Sequence, residues 1–166
     1  LTVASSMIRT GVFKRILLSG AEGLPRLVSC EDRSTAVLFG DGAGAVVLEA
    51  SAADSYLGSE LGADGTTPSD LYLPVGGTGA ARMTAEDIAC KRDTITMNGR
   101  EVFKFAVTKM IAATTHALES AGLTPHDIAW VIPHQANKRI IEAASKRLDI
   151  PSERVIINID RYGNTS

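Results

Sequence analysis

Hydrophobic positions along this chain form two periodic blocks separated by a long stretch with no period of its own. In the first block, Val3, Met7 and Ile8 fall on one helical face, and Gly11 follows as a helix-ending glycine, so Leu1–Thr10 reads as the end of a helix. The short apolar run Lys14–Gly20, bounded by glycine, predicts a buried strand covered on both faces. Polar residues and Pro25 make Glu22–Ser34 a loop. Two β-rich runs, Thr35–Phe39 and Ala45–Glu49, flank Gly40-Asp41-Gly42-Ala43-Gly44, which predicts two paired strands joined through a glycine hinge.

Between Ala50 and Arg92 glycine and proline are frequent, with Gly76-Gly77-Thr78-Gly79 in the middle, so this stretch reads as an excursion over the core. The second block opens at Asn98, an N-cap residue with Glu101 at the third helical position. Val102, Phe105, Ala106, Met110, Ala113, Ala117 and Leu118 supply the apolar stripe of a helix that ends at Gly122. Thr124-Pro125-His126-Asp127 predicts a short helix with proline at its first position, and Ala129–Pro133 a strand. A helix over Asn137–Leu148 turns Ile140, Ile141, Ala144 and Leu148 inward, and Val155–Ile159 reads as the closing strand. Helix, strand, helix, strand in that order is the pattern of a parallel sheet with crossover helices, an α/β architecture.

Charge narrows the function classes. Seventeen Lys and Arg stand against nineteen Asp and Glu. Nucleic-acid-binding domains carry a strong basic excess, so no nucleic-acid partner is expected. No apolar run approaches the roughly 20 residues needed to cross a bilayer, so no membrane partner is expected either. Two cysteines, Cys30 and Cys90, form neither a disulfide framework nor a metal knuckle, and a reducing, cytoplasmic setting is the expectation. The chain starts at Leu1-Thr2-Val3-Ala4, already inside a helix, and ends at Gly163-Asn164-Thr165-Ser166 just past an apolar run, and it reads as an internal piece of a larger α/β protein.

Two residues carry the candidate chemistry. His134 follows one predicted strand directly, and Asn164 comes five residues after the next, so both lie beyond carboxyl ends, the edge where ligands bind in parallel α/β sheets. A neutral imidazole N–H and an amide NH₂ side by side stabilise an oxyanion without acting as a base. His116 and His126, on a helix and in a capping turn, read as structural. Gly40–Ala45 formally matches a dinucleotide fingerprint, but the β-formers Val46-Val47-Leu48 follow it where a helix is required, so a close strand connection is its better reading.

Four segments then carry a resemblance in the right order: Phe39–Ala45, Met97–Lys104, Pro133-His134-Gln135-Ala136-Asn137 with Arg139-Ile140-Ile141, and Asp160–Ser166. Together they resemble β-ketoacyl-acyl carrier protein synthase III. That resemblance implies a layered αβαβα thiolase-like fold, present in part: residues 1–95 as the remainder of an N-terminal half with its excursion at about 50–92, and 96–166 as the first part of a C-terminal half. It implies a homodimer that condenses an acyl-CoA primer with malonyl-acyl carrier protein at the start of fatty-acid synthesis through a Cys–His–Asn triad. CoA and carrier-protein phosphopantetheine thioesters would be substrates, with no resident cofactor and no metal.

On this resemblance His134 and Asn164 take the second and third triad places. The family's cysteine sits at the amino end of a buried helix, and Leu1 is expected to lie a few residues beyond it. Neither Cys30, beside Glu31-Asp32, nor Cys90, without a strand-to-helix context, fits that role. The resemblance further implies substrate-binding roles for Arg33 (CoA nucleotide), Phe39 (acyl pocket), Gly99, Phe103 and Asn137 (pantetheine tunnel), and Met97, Ala136 and Ile140, with Lys104 and Arg139 meeting the carrier protein. The alternatives are a sister condensing enzyme of polyketide or quinolone type, and a non-catalytic subunit or fragment.

Overall fold

A computed structural model describes residues 1–53, 55–77 and 82–165. Helix α1 (Thr2–Arg9) ends as expected, with Gly11 at φ +75°. Its buried face differs from the expected one: Ala4 and Ser5 are buried, while Val3 is 66% exposed and Met7 is also open. The helix lies on the sheet through its small residues, which let the backbones approach.

That sheet is an antiparallel pair of β1 (Arg15–Glu22) and β2 (Gly42–Glu49), in register from Arg15 opposite Glu49 to Glu22 opposite Gly42. Two expectations fail here. The partner of β2 is β1, not Thr35–Phe39, because residues 33–36 form the short helix α2 (Arg33–Ala36). Asp32 drives that outcome: its carboxylate accepts from the Ser34 N–H at 2.9 Å and the Thr35 hydroxyl at 2.9 Å, and this local cap outweighs the β propensity of the run. Nor is β1 covered on both faces, since Leu17 is 70% exposed and Val46 and Val47 of β2 are exposed too; α1 is the helix that packs most on this ribbon.

The excursion between the two blocks is tied down at several points. Tyr56 hydrogen-bonds through its hydroxyl to Thr2 at 2.6 Å and accepts through its carbonyl from Arg9 at 2.7 Å. Asp64 pairs with Lys109 at 3.2 Å, and β3 (Leu71–Tyr72) pairs antiparallel with β4 (Thr96–Met97). Helix α3 (Ala85–Ala89) is held by a reciprocal Thr84–Asp87 capping box. Thr78 and Gly79 of the glycine-rich sequence lie outside the described residues.

Helix α4 (Gly99–Ala121) spans the expected range and stops at Gly122, φ +67°. Asn98 sits at its N-cap but makes no capping bond; its backbone N–H donates to the Asp70 carbonyl at 2.7 Å and its amide to the Asp70 carboxylate at 3.1 Å, while Glu101 turns to Lys104. The stripe is also shifted: Val107 and Leu118 are buried, but Phe105 is 44% exposed and Ala113 lies outside. Helix α5 (Lys138–Arg147) packs on α4 and buries Ile140, Ile141 and Ala144 as expected. The two expected strands meet in parallel, yet only through the single bridge Val131–Val155. Ile159 does not end a strand; it begins the short helix α6 (Ile159–Tyr162). Among the described residues no helix is long and apolar enough to cross a membrane.

Candidate active site

The glycines that read as a hinge are instead a surface on which the chain's far end lies flat. The Asn164 N–H donates to the Leu38 carbonyl at 2.8 Å, and the Gly40 N–H donates to the Asn164 carbonyl at 2.9 Å, a parallel bridge between Phe39 and Asn164. A Cβ on Gly40 would stand 2.0 Å from the Tyr162 carbonyl oxygen, and one on Gly42 would stand 2.8 Å from the Thr165 side chain. Gly163, at φ +72°, turns the chain out of α6 against the Leu38 carbonyl. Gly40 and Gly163 therefore let two backbones touch while Gly42 makes room for the Thr165 side chain, and the contact places Asn164, only 8% exposed, next to Phe39.

His134 arrives from the other side. Pro133 ends the Val131 segment, the Ala136 N–H closes a tight turn by donating to the His134 carbonyl at 2.9 Å, and Asn137 starts α5 by accepting from the Arg139 N–H at 2.9 Å. The imidazole faces solvent on one side, yet the protein packed around the rest of the ring pushes its pKa below the ordinary histidine value. It is therefore neutral at pH 7 and offers one N–H donor.

Both side chains line one cleft of about 920 Å³. Phe39, Met97, Gly99, Phe103, Lys104, Ala136, Asn137, Arg139 and Ile140, each singled out in the sequence, line it as well. Arg33 does not; it opens α2 on the exposed side of the element that packs against β4. The excursion contributes a wall that no periodicity announced, formed by Asp64, Thr67, Pro68, Asp70 and Leu71. Their only sequence signal is the run of turn formers from Asp64 to Pro68.

Charge is distributed unevenly around the mouth. Lys104 is paired with Glu101 at 2.7 Å, whereas the Arg139 guanidinium lies 5.8 Å from the Phe103 ring centroid. Asp64 is held down to about 2 by the Thr66 hydroxyl, then the Thr66 N–H and Lys109, so it is ionised throughout the physiological range. Cys30 and Cys90 are free, exposed and away from the cleft. The cleft thus presents two neutral donors, both from the second half of the chain's second block, beside the apolar side chains of Phe39, Met97 and Phe103.

Comparisons with known proteins converge. Residues 1–65 match the family model for 3-oxoacyl-[acyl-carrier-protein] synthase III and residues 118–166 the model for its C-terminal part. The chain is 51% identical over 169 residues to the β-ketoacyl-[acyl-carrier-protein] synthase III of Caldanaerobacter subterraneus subsp. tengcongensis, a match covering 100% of the chain and 50% of that relative. It superposes on the synthase III crystal structure from Thermus thermophilus with a TM-score of 0.84 at 45% identity, covering 99% of the chain and 50% of that structure. The corresponding structure from Aquifex aeolicus gives a TM-score of 0.86 at 43% identity, with 99% and 49% covered. The chain spans about half the length of the curated relatives it matches.

Proposed function

Because this chain belongs to the 3-oxoacyl-acyl carrier protein synthase III family, with part of that family's thiolase-like α/β fold, we propose that it supplies the decarboxylating side of the active site of a condensing enzyme. The enzyme joins an acyl-CoA primer to malonyl-acyl carrier protein, giving β-ketoacyl-carrier protein, CoA and CO₂. One observation supports this above the others: His134 and Asn164, 30 positions apart, line the same cleft, which no cysteine of this chain lines.

The primer's acyl group is carried as a thioester on a cysteine in the part of the family's length that this chain does not span. Malonyl thioester then enters the cleft, and loss of CO₂ leaves the electron pair on an enolate. The His134 N–H and the Asn164 amide donate to the enolate oxygen, where negative charge develops. The enolate carbon attacks the acyl thioester, forming the new C–C bond and expelling the cysteine thiolate. Apolar contacts from Phe39, Met97 and Phe103 exclude water from this exchange. We further place Arg33 at the CoA nucleotide, outside the cleft, and the assembly as a homodimer in the cytoplasm.

The test is condensation by the full-length protein supplied with acyl-CoA and malonyl-carrier protein. Stoichiometric CO₂ and β-ketoacyl product are expected; CoA release without carbon–carbon bond formation would sink the reading. The same assay probes the carrier surface. Charge reversal at Arg139 should raise the KM for malonyl-carrier protein, more at low than at high salt, and leave a malonyl-pantetheine analogue unaffected. Reversal at Lys104 should do less, because Glu101 already offsets its charge. An equal penalty on the analogue would move both residues from the carrier surface to the tunnel.

A further inference from the structure

The parallel pairing that starts at Val131 and Val155 stops just short of the site, and a side chain continues it. Val131 donates to the Arg154 carbonyl at 2.8 Å, and Ile156 donates to the Val131 carbonyl at 2.9 Å. In a parallel ladder the next two bonds would run from the N–H of residue 133 to the Ile156 carbonyl, and from the N–H of Asn158 to the carbonyl of residue 133. Residue 133 is proline and has no N–H to give.

Gln135 fills the gap. Its Nε2 donates to the Ile156 carbonyl at 3.1 Å and to the Pro133 carbonyl at 3.0 Å. Its Oε1 accepts from the Asn158 N–H at 2.8 Å and the Ile159 N–H at 3.2 Å. Two donors and two lone pairs are all a carboxamide has, and each meets a partner of the opposite kind, which fixes the orientation of the amide. The side chain behaves as an inserted peptide group, holding the two strand ends together while keeping them one amide apart.

What it joins matters for the chemistry. His134 is the residue before Gln135. Asn158 and Ile159 open α6, whose own N-cap residue makes no side-chain capping bond, and the far end of α6 leads through Gly163 to Asn164. We propose that Gln135 is a positioning residue for decarboxylation, its carboxamide clamping the His134 turn to the start of α6 and so setting the distance between the two oxyanion donors. This rests on the condensing-enzyme reading given above.

The experiment uses the full-length protein with Gln135→Ala, which removes all four bonds, and Gln135→Glu, which keeps the acceptors and, when ionised, sets a carboxylate against two carbonyl oxygens. Decarboxylation of malonyl thioester should fall about 10²-fold in kcat with little change in KM, while acyl transfer from CoA to the enzyme stays near wild type. The Glu variant should recover part of the loss relative to wild type as pH falls, because a protonated carboxyl regains one donor. Decarboxylation at the wild-type rate, or both half-reactions falling together with thermal stability, would overturn the proposal.

A wild-type protein that does not decarboxylate malonyl thioester would instead refute the reading of the site. Gln135 is then judged by NMR titration of the His134 imidazole. Release of the turn in Gln135→Ala should raise its midpoint towards the ordinary histidine value, and an unmoved midpoint overturns the positioning role.

Discussion

Replacing His134 or Asn164 with alanine in the full-length protein is expected to cut decarboxylation of malonyl-carrier protein by about 10²–10³-fold, on the order of 3–4 kcal/mol of lost transition-state stabilisation for each donor. Acyl transfer from CoA to the enzyme should persist, because no enolate forms in that half-reaction. The double variant should lose little more than the worse single one, since donors that act on one oxygen work as a unit and their effects do not add. His134 and Asn164 also differ in how they are held. Asn164 is buried and its backbone is bonded on both sides, to Leu38 and Gly40, whereas His134 sits in a turn open to solvent. The two half-reactions can be measured separately by labelled CoA exchange and by CO₂ release. If His134→Ala abolishes both to the same degree, the imidazole is acting as base towards the thiol, and the oxyanion role is wrong.

Gly40→Ala should be the most damaging small-to-large change in the chain. Its added methyl would stand 2.0 Å from the Tyr162 carbonyl oxygen, a backbone atom with no rotamer to escape into. Relief requires the two segments to part, which breaks the Gly40–Asn164 bond and leaves backbone groups unpaired in the interior. Overpacking and the lost bond together should cost on the order of 3 kcal/mol. Decarboxylation should fall with it, because Asn164 moves. Gly44→Ala is the matched control: the same substitution four residues on, with nothing within 4 Å of the new methyl, should cost under about 1 kcal/mol. Denaturant midpoints of the two variants decide the matter, and equal midpoints would mean that the backbone contact at Gly40 carries no special load.

How much of this was legible in the sequence varied with the range of the interaction that decides it. The ends of α1, α4 and α5 were readable because glycine, proline and capping residues act within a few positions. Asp32 acts at the same range, but the β-rich run Thr35–Phe39 masks its effect, so the second half of α2 carries a strand pattern. The faces of α1 and β1 were misjudged because periodicity says that a side is apolar without saying what covers it. His134 and Asn164 were found through their places after two predicted strands and the motifs around them, even though the second strand ends earlier than expected and α6 intervenes. The stretch from Asp64 to Leu71 is legible as an excursion but not as a wall of the cleft, because irregular segments acquire their positions from contacts such as Asp64–Lys109 and Asp70–Asn98 that no local pattern encodes.

The Phe39–Asn164 bridge joins residues 125 positions apart in the sequence, and so closes a long loop. The β1–β2 ribbon and α4 close over short stretches of sequence and can form early. Closing a loop of that length costs entropy that only the finished interior repays. The bridge is therefore expected to form after the ribbon and α4, and until it does a collapsed chain holds His134 without Asn164 beside it.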